Sequence, residues 1–229
     1  MGGLRGYGDE LAIVTVGPRG AEIRTPDGDA ETLKLAEELG RPAVVNRAIA
    51  GLDPVIGWVA VLDPGISLAP GALDVLRAAA GPRAGLLGPQ LRAPSGSVIP
   101  SCGPLPTFGA LLRGRVPASG VVAGPIGWLD GRCVLVRRLA WDSVNGYDSR
   151  HAGTGTQPEP ADLDLGDRLG RAGWLVVGVP EAEAVVHPIE GQGILETRGP
   201  ESRGAGLRRY VRDRYRAPAR TLMALARRG

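Results

Sequence analysis

Four residues of this sequence carry groups that do chemistry and stand where elements begin or end: Asp63, Asp130, Asp162 and His187. Asp63 closes the run Gly57-Trp58-Val59-Ala60-Val61-Leu62, which is apolar and rich in β-branched residues and so reads as a strand. Asp162 lies at the start of the helical stretch Ala161–Ala172. At about 100° per residue it shares a face with Leu165 and Leu169, whereas Asp164 shares one with Asp167, Arg168 and Arg171. The first face is expected to look inward and the second to water, where Asp164 pairs with Arg168 at i,i+4. Asp130 sits in Gly127-Trp128-Leu129-Asp130-Gly131, and His187 ends the short run Ala184–His187. A carboxylate at an element's end can hold a hard cation or accept a proton.

Each residue also has a plainer reading. Asp162 can cap its helix. Asp63, before Pro64-Gly65, can open a turn. His187 can be a satisfied structural imidazole, and His151, in a polar loop, reads as exposed. Trp128 and Trp174 read as core residues, and Arg137-Arg138 as a solvated strand end.

The elements that must position these groups alternate. Strands are expected at Leu11–Val16, Ala21–Arg24, Gly57–Asp63, Gly85–Gly88, Ile126–Arg137, Leu175–Val179 and Ala184–His187. Helices are expected at Asp29–Gly40, Val44–Leu52, Pro70–Ala80, Phe108–Arg113, Ala161–Ala172 and, as one or two basic helices, Gly206–Arg228. The alternation implies an α/β domain with a largely parallel, buried sheet. In such sheets ligands bind outside the carboxyl ends of the strands, where Asp63 is placed. There is no GxGxxG and no GxxxxGK[ST], so a dinucleotide site or P-loop is not supported.

Three pieces occur in a telling order: Leu62-Asp63-Pro64-Gly65; then Gly127 to Gly131 with Val136-Arg137-Arg138 and Asn145-Gly146-Tyr147-Asp148; then Asp162-Leu163-Asp164-Leu165-Gly166-Asp167-Arg168 through Gly173-Trp174, Val179-Pro180 and Val185-Val186-His187. In that order the set resembles family 2 glycosyltransferases of the GT-A fold. DLGDRLGRAGW is similar to the actinobacterial rhamnosyltransferases that act on polyprenyl-diphosphate-linked N-acetylglucosamine. The resemblance spans Val45 to Tyr215 and implies a GT-A-like single domain. Its implied activity is an inverting transfer from a nucleoside-diphosphate sugar to a cell-wall or polysaccharide acceptor. Mg²⁺ or Mn²⁺ would be held by Asp63 and His187, with Asp130 adding charge at the cofactor, and Asp162 would be the catalytic base. The sequence departs from the family in places. Gly65 replaces the second acid of LDxD, Asp130 replaces a serine, Ala161 replaces the glutamate of the E-D pair, and no D-N-G-S precedes Asn46. These departures support the rival reading, a catalytically silent GT-A-like binding or partner protein.

Length and charge set the frame. A chain of 229 residues makes one good-sized domain, and 43% hydrophobic with 22% charged residues excludes wholesale disorder. No apolar run approaches the roughly 18 residues of a membrane-spanning helix. The start has no apolar signal core, so a cytosolic location is expected. Cys102 and Cys133 have no metal spacing and are expected to be free thiols. Lys34 is the only lysine beside 26 arginines. From Arg203 onward nine arginines face one acid, Asp213, so an acidic-leaning body, 1–202, precedes a basic arm, 203–229. That arm suits an anionic membrane surface, peripheral on the inner face. Nucleic acid is a weaker match, because the arm lacks an aromatic stacking platform.

Overall fold

A computed structural model describes residues 9–17, 20–25, 30–34, 39–113, 115–151, 159–188 and 209–215. The chain runs β1 (Glu10–Gly17), β2 (Gly20–Arg24), β3 (Ala30–Lys34), α1 (Arg41–Ala50), β4 (Ile56–Leu62), β5 (Ile66–Leu68), α2 (Ala72–Ala78), β6 (Ala84–Arg92) and β7 (Cys102–Gly103). It continues through α3 (Phe108–Leu112), β8 (Gly124–Ile126), β9 (Trp128–Leu129), β10 (Cys133–Arg137), α4 (Arg138–Ser143), a 3₁₀ turn (Ser149–His151), α5 (Pro160–Arg171) and β11 (Leu175–Val186). Residues 209–214 add one short helical stretch.

The main sheet has the order β3-β2-β1-β4-β10-β6-β11-β5, with β8 also paired to β11. The pairs β1/β4 and β6/β11 are parallel, so these four long strands run one way, as the α/β reading requires. β10 lies antiparallel between β4 and β6, and β2, β5 and β8 also oppose the main direction. The strand interiors are buried on both faces. Val59, Leu87 and Leu135 are fully covered, which explains their continuous apolar runs.

Two expectations about elements fail. The stretch expected as a helix, Asp29–Gly40, contains instead the strand β3, paired residue for residue with β2. The β1–β2–β3 meander offers Ala30–Lys34 a hydrogen-bonded edge, and that tertiary pairing overrides helix propensity. The front end is therefore antiparallel hairpins rather than strand–helix–strand. Second, the two short strands after Trp174 are one strand, β11, with an irregularity between Val179 and Glu183. The expected basic helices over Gly206–Arg228 lie outside the described residues, except for 209–215.

Residues 209–215 pack on the body. Tyr210 is 1% exposed in a cluster with Leu111, Trp128 and Leu163. Arg214 pairs with Asp167 of α5 at 2.7 Å, and the Tyr215 hydroxyl donates to the Pro106 carbonyl. Among the described residues no helix is long and apolar enough to cross a membrane.

Candidate functional site

The sheet delivers Asp63 to the carboxyl end of β4. Its backbone N–H donates to the Arg132 carbonyl at 2.8 Å, which ties it to the turn leading into β10. Two residues on, the Gly65 carbonyl accepts from the His187 N–H at 2.8 Å. The end of β11 and the Asp63 loop thus share one rim of the sheet, with the His187 side chain exposed.

α5 supplies the second group. Pro160 fits its first turn, where no N–H is needed, and Gly173 beyond its end adopts φ 87°. Asp162 is 3% exposed, on the same side as buried Leu165 and Leu169, as the helical spacing requires. It caps nothing in its own helix. Oδ2 accepts from the Gly131 N–H at 3.0 Å and Oδ1 from the Tyr147 hydroxyl at 2.9 Å. Gly131 is required here, since a Cβ would run into Asp162, Tyr147 and Arg41. A Cβ at Gly166 would strike the Gly127 carbonyl, so this glycine sets how closely α5 lies on β9.

Arg41, at the start of α1, joins the two acids. Its Nε donates to Asp63 Oδ1 at 2.6 Å, and its other nitrogens reach the Tyr147 hydroxyl and the Gly131 carbonyl. Asn46, one turn on, exchanges two hydrogen bonds with the backbone of Tyr147, at 2.7 and 2.9 Å. Those bonds fix the turn at Asn145-Gly146, where both residues have positive φ. Asp130 is buried and bidentate on Arg132, with 2.6 Å at its closest contact.

Glu159 is the cluster's unforeseen member. It precedes α5, is buried, and its Oε2 has no hydrogen-bond partner among the described residues. Burial pushes its carboxyl up to about 7 and that of Asp162 up to about 8, the Glu159 carboxylate adding to the rise at Asp162. Burial also raises Asp63, against the pull of Arg41. Burial and the neighbouring Asp162 carboxylate raise the Tyr147 hydroxyl.

No family profile matches the chain. Two curated relatives do, both named N-acetylglucosaminyl-diphospho-decaprenol L-rhamnosyltransferase and both from Mycobacterium tuberculosis, strains CDC 1551 / Oshkosh and ATCC 25618 / H37Rv. Each is 36% identical over 244 aligned positions that cover 89% of this chain and 74% of the relative. The chain belongs to this family of glycosyltransferases. Solved structures that resemble the glycosyltransferase include GalNAc-T7 with UDP, GalNAc and Mn²⁺, at 11% identity and a TM-score of 0.49. That match covers 69% of this chain and spans 32% of the other. The catalytic domain of Drosophila β1,4-galactosyltransferase 7 with xylobiose is 16% identical, with a TM-score of 0.38, covering 63% of this chain and 48% of the other.

The geometry of the glycosyltransferase brings Asp63, Asp130 and Asp162 to one cluster through Arg41, Gly131 and Arg132. His187 reaches the same rim only through its backbone. Among the described residues, the Asp and His ligand atoms lying within 4.8 Å of one another are those of Asp148, His151 and Asp164.

Several expectations are corrected. His151 is buried, not exposed, and Asp164 is half-buried rather than open to water, because residues 209–215 cover that face. The pairing of Asp164 with Arg168 holds, at 2.7 Å. Arg138 is buried and pairs with Asp142, so it is not a solvated strand end. Trp128 is core, whereas Trp174 is half-buried. Both cysteines are free and buried. Arg41, Tyr147 and Glu159 were not singled out. An arginine before Pro42 at a helix start, and an acid three residues before Asp162, are the signals that point to two of them.

Proposed function

We propose that this glycosyltransferase moves a sugar, with rhamnose as the donor sugar, from a nucleoside-diphosphate sugar to polyprenyl-diphosphate-linked N-acetylglucosamine, with inversion at the anomeric carbon. The reading is carried by the 36% identity over 89% of the chain to relatives named for that acceptor and sugar, joined to the buried acid cluster at the end of β4. The silent-protein reading is not favoured. Ala161 removes one acid, but Glu159 places another in the same cluster.

Asp162 is the proposed base. As the acceptor hydroxyl attacks, its proton passes to a carboxylate held in place by the Gly131 N–H and the Tyr147 hydroxyl. Glu159 keeps that carboxylate basic by its own charge. Arg41 fixes Asp63 at the rim and faces Asp162 at once, so donor and base ends of the crevice are set by one side chain.

A divalent cation at this crevice rests on the family resemblance, because among the described residues no three of its Asp, Glu and His ligand atoms lie within 4.8 Å of one another. Asp63 and Asp130 are each paired with one guanidinium group, Arg41 and Arg132, while burial pushes Glu159 and Asp162 toward the protonated form. All are hard oxygen donors, suited to Mg²⁺ or Mn²⁺. We assign the cation to Asp63 with His187, Asp130 adding charge nearby. When bound, the ion stabilises charge on the departing diphosphate. The basic arm 203–229 would rest the enzyme on the anionic inner face of the membrane, where a polyprenyl acceptor resides.

The test is a transfer assay with purified protein, nucleoside-diphosphate sugars and synthetic polyprenyl-diphospho-N-acetylglucosamine, with and without Mg²⁺ or Mn²⁺. Cation-dependent formation of a disaccharide lipid supports the reading. No product from any donor, with the protein folded, overturns it.

A further inference from the structure

His151 lies far from solvent in an unusual setting. Its side chain is 1% exposed, and three carboxylates face its Nε2: Asp213 Oδ2 at 3.5 Å, Asp148 Oδ2 at 3.7 Å and Asp164 Oδ1 at 3.7 Å. All three gaps exceed the 2.7–3.2 Å of ordinary hydrogen bonds. Its Nδ1 is buried without a hydrogen-bond partner among the described residues, and so is Asp213 Oδ2. Buried polar atoms left this way call for a missing partner.

Nδ1 points away from the carboxylates, so the case for an ion rests on the spacing around Nε2. Metal–ligand bonds of about 2.1 Å in a tetrahedron put ligand atoms about 3.4 Å apart. Gaps of 3.5 to 3.7 Å match such an edge and are too long for direct bonding. The outer oxygens are already held. Asp164 gives Oδ2 to Arg168 and turns Oδ1 to the imidazole. Asp213 gives Oδ1 to Arg212 and turns Oδ2 inward. Asp148 is the exception, since Arg150 binds both of its oxygens, including the Oδ2 that faces the imidazole. These arginines help to orient the carboxylates.

We propose that His151, Asp148 and Asp164 form a divalent-cation site of zinc-like character, separate from the crevice around Asp162, with a fourth position left for solvent; their ligand atoms all lie within 4.8 Å of one another, and Asp213 flanks the imidazole without joining that group. One imidazole nitrogen with carboxylate oxygens is a donor set that zinc accepts. The ion would tie together two pieces of chain, the segment Asp148–His151 with its 3₁₀ turn and helix α5. Its role is structural, since α5 also carries Asp162. The alternative is that these side chains meet without a bound ion.

Titration calorimetry on chelator-treated full chain with Zn²⁺ alone, and then Mn²⁺ alone, separates the two. One equivalent of Zn²⁺ is expected to bind, more tightly than Mn²⁺, and to raise the unfolding midpoint. Asp164→Asn and His151→Gln are each expected to weaken Zn²⁺ binding about tenfold or more, while Asp63→Asn leaves it unchanged. If His151→Gln fails to fold, Asp164→Asn decides. X-ray absorption of the zinc-loaded wild type is expected to show four nitrogen and oxygen ligands. No Zn²⁺ uptake, uptake equal in wild type and Asp164→Asn, or a shell containing sulfur overturns the proposal.

Discussion

Asp162 holds two hydrogen bonds and sits near Glu159, and both facts bear on its protonation. Burial raises it from the ordinary 3.8 to about 8, so the folded protein holds a proton that the unfolded chain has lost across that window. Stability contributed by this group is present at the acid end and falls as pH rises through about 8. Urea midpoints for wild type are expected to drop between pH 6 and pH 8.5, and less so in Asp162→Asn. The reactive form is the opposite one. A base must be ionised, so kcat/KM is expected to climb with pH through about 8, a limb that steady-state rates across pH would show. Arg41 is the other decisive residue. Arg41→Gln strips Asp63 of its buried partner at 2.6 Å, and a loss of about 3 kcal/mol is expected from denaturant unfolding.

Among elements, α5 on β9 is the contact that sets the site. Gly166 allows it, and Gly166→Ala would push the helix off the Gly127 carbonyl. The expected cost is about 1–3 kcal/mol in chemical denaturation, with a fall in transfer activity larger than the fraction unfolded explains. Where periodicity was strong, the sequence was legible. Asp162, Leu165 and Leu169 share a buried face, and Gly57 to Leu62 forms a fully covered strand. Where the outcome hung on distant partners it was not. Ala30–Lys34 is a strand because β2 lies beside it, and no local pattern reports that neighbour. His151 is buried because residues 209–215 fold back over it, a contact across some 60 positions of chain. Glu159 was hidden for a related reason. It lies just before α5 in extended backbone, outside the helical periodicity, and the motif placed its acid at position 161.

At the scale of the molecule, the acidic body and basic arm are not wholly separate. Residues 209–215 belong to the packing of the body, with Tyr210 filling a pocket beside Trp128 and Leu163. Tyr210→Ala is expected to cost about 3 kcal/mol, read from the shift in denaturant midpoint. The antiparallel meander β1–β2–β3 forms one edge of the main sheet, beside β4. The account as a whole stands on Asp162 as the group that takes the acceptor's proton. Single-turnover transfer by Asp162→Asn, measured beside calorimetric donor binding, tests this most directly. The prediction is a loss of about 10²–10⁴ in rate with donor affinity unchanged; transfer at the wild-type rate would contradict it.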